Sequence, residues 1–129
     1  MHDNQLKELA LQLREFAKER DWQQFHSPKN LTMALSVEAS ELLEHFQWLT
    51  QEQSRLLDDD KRVEVSEEIA DVLIYLVRLA DILHIDPMEA VKRKMSLNET
   101  KYPVEKARAT AVKHTRLFNN PVIDSGTDD

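Results

Sequence analysis

VSEEIADVLIYLVRLADIL, residues 65–83, repeats apolar side chains at three- and four-residue intervals without a glycine or proline to interrupt them. Wound at about 3.6 residues per turn, Val65, Ile69, Val72, Leu73, Leu76, Val77, Leu79, Ala80 and Leu83 form a broad arc that nearly wraps the C-terminal half of a helix. A helix so apolar needs packing on several sides, which predicts a helical array and, in a chain this small, self-association as a homodimer or homotetramer. Two acids interrupt the pattern. Glu68 and Asp71 sit together at one border of the arc, with Glu64 one turn before them and Tyr75 one turn after.

A second acidic pair lies upstream, in LSVEASELLEHFQWL, residues 35–49. Leu31, Leu35, Leu42, Phe46 and Leu49 make one stripe, and Glu38 falls within about 20° to 40° of most of it, so its carboxylate is aimed inward. Glu41 is about 60° around from Glu38 and one turn along, at the stripe edge, while Glu44 rotates further toward the polar side. Carboxylates in apolar helical runs are expensive to bury unless a cation meets them. Four of them, with no convergent cysteine or histidine, favour a hard, oxygen-loving ion such as Mg²⁺ over zinc. A di-iron bundle is the competing metal site. It asks for two Glu-x-x-His motifs, and the nearest approach here is Asp81-x-x-His84.

The rest of the composition supports an all-α, single-domain reading. The chain has 129 residues, one glycine, four prolines and no cysteine, which suits a mainly helical protein with few tight turns. A formal net charge of -7 argues against a nucleic-acid polymer as partner, because such binders carry a basic face. No stretch reaches the roughly 20 apolar residues of a membrane span, and the polar start MHDNQLKELALQ lacks the apolar core of a signal peptide. Without cysteine there is no disulfide framework, which fits a cytoplasmic protein.

Four principal helices are expected. The first covers about residues 3–20, on the spacing of Leu6, Leu9, Leu13, Phe16 and Ala17. The connection DWQQFHSPKN is unusually aromatic, and Ser27-Pro28 is a place for a helix to restart. The second helix covers about 30–49, the polar connection TQEQSRLLDDD has room for one helical turn, and the third covers about 61–84. Asp86-Pro87 starts a fourth that ends near Tyr102-Pro103. The folded domain extends over 1–117, partly helical after Val104, and 118–129 reads as a disordered tail.

The order Glu38-x-x-Glu41, spacer, Glu68-x-x-Asp71 resembles the all-α nucleoside triphosphate pyrophosphohydrolases of the MazG-like superfamily. RDWQQFHSPKNL, EHFQW, EEIADVLIYLVRLA and KMSLNETKYP look like its dCTP pyrophosphatase branch, together covering roughly residues 14–104. The resemblance implies a four-helix MazG-like bundle that oligomerises, commonly as a tetramer, with active sites that can draw on neighbouring protomers. It implies Mg²⁺-dependent cleavage of a dNTP, dCTP or modified dCTP, to dNMP and pyrophosphate.

Carried onto this chain, the resemblance makes Glu38, Glu41, Glu68 and Asp71 the catalytic metal ligands. It places Trp22, Gln23, Gln24, Phe25 and His26, with Trp48 and Tyr75, around base and sugar, and Lys94 and Asn98 near phosphate or solvent on the metal. Lys29 and Lys101 are possible helpers. Read without the resemblance, Trp22 and Phe25 have a core cap as their alternative, Trp48 a helix-end anchor, and His26 a structural hydrogen bonder. One departure is Leu13, where the animal branch carries a histidine near the substrate, which bears on base preference rather than on metal chemistry. Two rival readings stand beside this one: the same scaffold with a different or broad nucleotide specificity, and a non-catalytic helical interaction protein.

Overall fold

In the computed structural model, which describes residues 3–111, every regular element is helical and no strand occurs among those residues. Helix α1 spans Asp3–Glu19, α2 Pro28–Glu44, α3 Gln51–Ser54, α4 Asp59–Ile82, α5 Pro87–Lys101 and α6 Val104–Ala107, with a 3-10 turn at Gln23–Phe25. The expected four helices are therefore six among the described residues. Both additions are single turns: α3 in the polar connection, closed by a reciprocal capping box between Thr50 and Gln53, and α6 after Pro103. Anything beyond residue 111, including the expected tail at 118–129, lies outside the described residues.

Local chemistry sets the helix ends. Ser27 caps α2 by accepting from the Asn30 N–H at 3.1 Å, with Pro28 in the first turn. Asp58 caps α4 through the Lys61 N–H at 2.8 Å, which starts that helix two residues before its expected position. α2 stops at Glu44 rather than Leu49: residues 45–48 continue as turns, and the capping box at Thr50 then begins a new helix. At the far ends of α1 and α4, Asp21 (φ 53) and His84 (φ 55) adopt the left-handed conformation usually given to glycine. Each is followed by an N–H that reaches back five residues, Trp22 to the Ala17 carbonyl at 2.9 Å and Ile85 to the Ala80 carbonyl at 2.8 Å. These closures reverse the chain sharply without glycine. The first of them delivers the aromatic connection.

The chain divides into two compact units, Met1–Met88 and Glu89–Asp129. In the first, α4 is the shared partner of α1 and α2. α2 runs antiparallel to it: His45, past the end of α2, meets Lys61 and Glu64 near the start of α4, whereas His26, just before α2, meets Arg78 near the end of α4. α1 is also antiparallel, through Arg14 to Asp81 and Lys7 to Asp86. Ala17, Leu31, Val65 and Val77 are the buried apolar residues of this layer, and Arg78 is buried among them. Much of the α4 arc is exposed in the single chain, with Ile69, Leu73 and Leu76 along the helix and Leu83 just past its end. In the second unit, α5 and α6 carry exposed side chains along most of their length. No described helix is long and apolar enough to cross a membrane.

Leu31 is 2% exposed and has no polar substitute for its contacts, so Leu31→Ala is expected to cost about 2–4 kcal/mol in urea unfolding. Leu56→Ala, at a residue 78% exposed, should stay within about 0.5 kcal/mol. Equal losses would contradict this assignment of the core.

Candidate metal centre and adjoining cavity

The antiparallel pairing of α2 with α4 brings the two acidic pairs together. Glu38 and Glu41 project from successive turns of α2, and one carboxylate oxygen from each lies within 4.8 Å of the other and of a Glu68 oxygen from α4. All three residues are part-buried. Glu38 Oε2 and Glu68 Oε2 are buried without a hydrogen-bond partner. A buried, unpartnered carboxylate oxygen is costly, and two of them facing like charge are more so.

The cost appears at Glu38. Burial first, then Glu41, with Asp71 and Glu68 contributing, push its carboxyl from 4.5 up to about 7. A hard divalent cation would satisfy both orphaned oxygens and reverse the repulsion, so the donor set fits such an ion. Asp71 lies outside the trio but close enough to Glu38 to raise its carboxyl. Glu44 is exposed and takes no part.

Beside the trio, α1, the aromatic connection and α4 enclose a cavity of about 270 Å³. Leu13, Trp22, His26, Asp71, Tyr75 and Arg78 are among its walls. Sites for drug-sized ligands run to roughly 300–1,000 Å³, so this one suits a single planar ring system better than a whole nucleotide. Trp22 is held edge-to-face against Phe16, with ring centroids 5.7 Å apart, and the Arg20 guanidinium lies over the Phe16 ring, 3.5 Å from its centroid. The 3-10 turn is tied to α2 by the Asn30 side-chain amide, which donates to the Phe25 carbonyl at 3.0 Å. Gln24 folds back to donate to Asp21.

Gln23 and Phe25 are exposed, and Trp48 is 86% exposed, so within the single chain it anchors no helix end. Lys94 and Asn98 stand one turn apart on α5 in the second unit, with Lys94 exposed and Asn98 part-buried. Asp81, half of the near-miss iron motif, is engaged as an ion-pair acceptor. Arg14 grips it with Nε at 3.1 Å and Nη2 at 2.6 Å, and Arg78 Nη1 adds a third bond at 3.2 Å. Hydrogen bonding from Arg14 is the main reason its carboxyl lies below the usual range.

Arg78 is the site residue that reading the sequence missed. It is 5% exposed, walls the cavity, and donates through Nε to His26 Nδ1 at 3.1 Å. The signal was a lone cation inside LIYLVRLADIL with an aspartate three residues on; its other partner, His26, is 52 positions away and left no trace in local spacing.

Known proteins resemble this chain closely. The sequence profile of the MazG-like family matches residues 33–117. Mouse dCTP pyrophosphatase 1 is 48% identical over 113 residues, which are 86% of this chain and 66% of that protein. The human protein of the same name is 46% identical over 112 residues, 85% of this chain and 66% of its own length. The chain thus spans about two thirds of the length of these relatives. A crystal structure of a pyrophosphatase from Archaeoglobus fulgidus superposes with a TM-score of 0.72 at 51% identity, covering 75% of this chain and 91% of that one.

Because Glu38 holds its proton more tightly folded than unfolded, the unfolded chain releases that proton first as pH rises. Without metal, its contribution to stability should therefore fall between about pH 4.5 and about pH 7 and level off above. In EDTA, Glu38→Gln should remove that decline from the Tm against pH curve. Parallel curves for the two proteins would show that the carboxyl is not perturbed.

Proposed function

The chain belongs to the MazG-like family, and we propose that it is a nucleoside triphosphate pyrophosphohydrolase converting dCTP, or a modified dCTP, and water to dCMP, or its modified counterpart, and pyrophosphate. The observation that carries this reading is the adjacency of two features. A carboxylate trio with orphaned oxygens stands next to an aromatic cavity sized for one base, and Asp71 belongs to the surroundings of both. The names of the similar mammalian proteins point to the same substrate.

In this reading Glu38, Glu41, Glu68 and Asp71 hold Mg²⁺. Mg²⁺ bound there supplies positive charge against the triphosphate and against charge developing as the phosphorus is attacked. Trp22 and Tyr75 present faces on which a base can stack, each worth about 1–3 kcal/mol, and His26 offers a polar edge. Gln23, Gln24 and Phe25 hold the connection that frames the base, while Lys94 and Asn98 serve phosphate oxygens. With the triphosphate fixed by these groups, water attacks the α-phosphorus, the bond to the bridging oxygen breaks, and pyrophosphate leaves. Such an activity suits housecleaning of a cytoplasmic nucleotide pool.

One observation favours a second reading, a different or broader nucleotide preference. Leu13 walls the cavity at a position where the resembling branch carries a histidine, so this wall is apolar. Stacking alone tolerates any base.

The test is a panel of dNTPs and NTPs with Mg²⁺, with products resolved by ion-exchange chromatography. Equal amounts of dCMP and pyrophosphate are expected from dCTP; dCDP with phosphate would overturn α-phosphorus attack. Glu68→Gln and Asp71→Asn should each lower turnover by at least about 100-fold with helical circular dichroism unchanged. Turnover retained in both would remove them from the site.

Self-association belongs to the same proposal. Ile69, Leu73 and Leu76 offer an apolar stripe on α4, and Trp48, 86% exposed in the single chain, would be covered by a partner copy. Sedimentation should give a dimer or tetramer of the 15.1 kDa chain, and Leu73→Glu should shift it toward monomer. A wild-type protein that sediments as a monomer at micromolar concentration would reject this part.

A further inference from the structure

Arg78 makes contacts that a simple anchor for Asp81 would not need. Asp81 already receives two bonds from Arg14, so its charge is met without Arg78. Arg78 nevertheless spends its Nε–H on His26, 52 residues away, from a position only 5% exposed. A guanidinium has no acceptor and does not lose its proton in proteins. The bond at 3.1 Å is therefore possible only if His26 Nδ1 carries a lone pair. A protonated imidazolium would turn an N–H toward Arg78, which this contact does not suit. The ring's single proton then belongs on Nε2, in a side chain that walls the cavity.

We propose that Arg78 is a positioning residue that fixes His26 as the neutral Nε2–H tautomer, so that the cavity presents one N–H donor to an acceptor on the edge of a planar ligand. The chain of contacts is continuous: Arg14 on α1 holds Asp81, Asp81 holds Arg78, and Arg78 holds the ring that precedes α2. Burial and the Arg78 charge both keep His26 below the usual histidine range, consistent with a neutral ring. The ligand edge this selects is a ring nitrogen or carbonyl oxygen, and an edge presenting N–H at that point is rejected. That the ligand is a nucleobase rests on the function proposed above; the tautomer does not.

Two measurements separate these. Long-range ¹H–¹⁵N correlation of the His26 ring, assigned against His26→Gln, should show a protonated Nε2 and a bare Nδ1 in the resting protein. A proton on Nδ1 would overturn the proposal whether or not dCTP is hydrolysed. Arg78→Met should bring in the Nδ1–H tautomer. Arg78→Lys, a milder change should the first variant fold poorly, should do the same, because an ammonium lacks the fork that reaches His26 and Asp81 together. An unchanged ring spectrum in the folded variant would again overturn it.

With dCTP, Arg78→Met should raise KM about 10-fold and leave kcat within about 3-fold, the mark of lost uniform binding. Added to His26→Ala, the same change should alter KM by less than about 2-fold. Fully additive effects would mean that Arg78 acts other than through His26. A protein with the expected ring spectrum and no dCTP turnover would sink the substrate and leave the positioning role standing.

Discussion

Helices α2 and α4 meet with like charge at the middle of their contact. Glu38, Glu41 and Glu68 approach closely enough to share one cation, and two of their oxygens have no protein donor. Left to itself this region would push the helices apart, so the pairing must be held elsewhere. Polar clamps do so at both ends. At one, Lys61 Nζ stands 3.1 Å from His45 Nδ1 and 3.4 Å from Glu64. At the other, Arg78 bonds His26 just ahead of α2. With the ends pinned and Leu31, Val65 and Val77 buried, the register between them is fixed and the acids have nowhere to retreat.

Fixing the ends also shapes the cavity. The left-handed Asp21 closes α1 and sends the chain through Trp22 to His26, and Ser27 then starts α2 at once. The short path leaves the aromatic connection lying against α1 and α4. Phe16 braces Trp22 from α1 and is itself covered by Arg20, whereas Tyr75, Asp71 and Arg78 come from successive turns of α4. Rigid helices therefore supply most of the wall, and the connection supplies the rest.

What could be read in the sequence was what depends on near neighbours. The period of VSEEIADVLIYLVRLADIL, the Ser27-Pro28 and Asp86-Pro87 starts, and the inward aim of Glu38 all follow from spacing and capping chemistry. The all-helical fold follows with them. The early end of α2 was not legible, because HFQWL contains no breaker; the turn there is fixed by contacts of His45 with α4 and by the box at Thr50. Arg78 was passed over for a similar reason. Its aspartate is three residues away, but the histidine that gives it a role is distant in sequence. Asp81-x-x-His84 shows the converse hazard, a spacing that suggests a ligand where the fold makes an ion pair with Arg14.

Asp71 sits at a junction. It faces the cavity on one side, and on the other its charge is felt by Glu38. Whatever fills the cavity displaces water from around Asp71 and so alters the field at the carboxylates; whatever neutralises the carboxylates alters the field in the cavity. Ligands that filled both compartments would for that reason be linked in a single heterotropic equilibrium. Each ligand must change the other's affinity by the same factor, whichever arrives first.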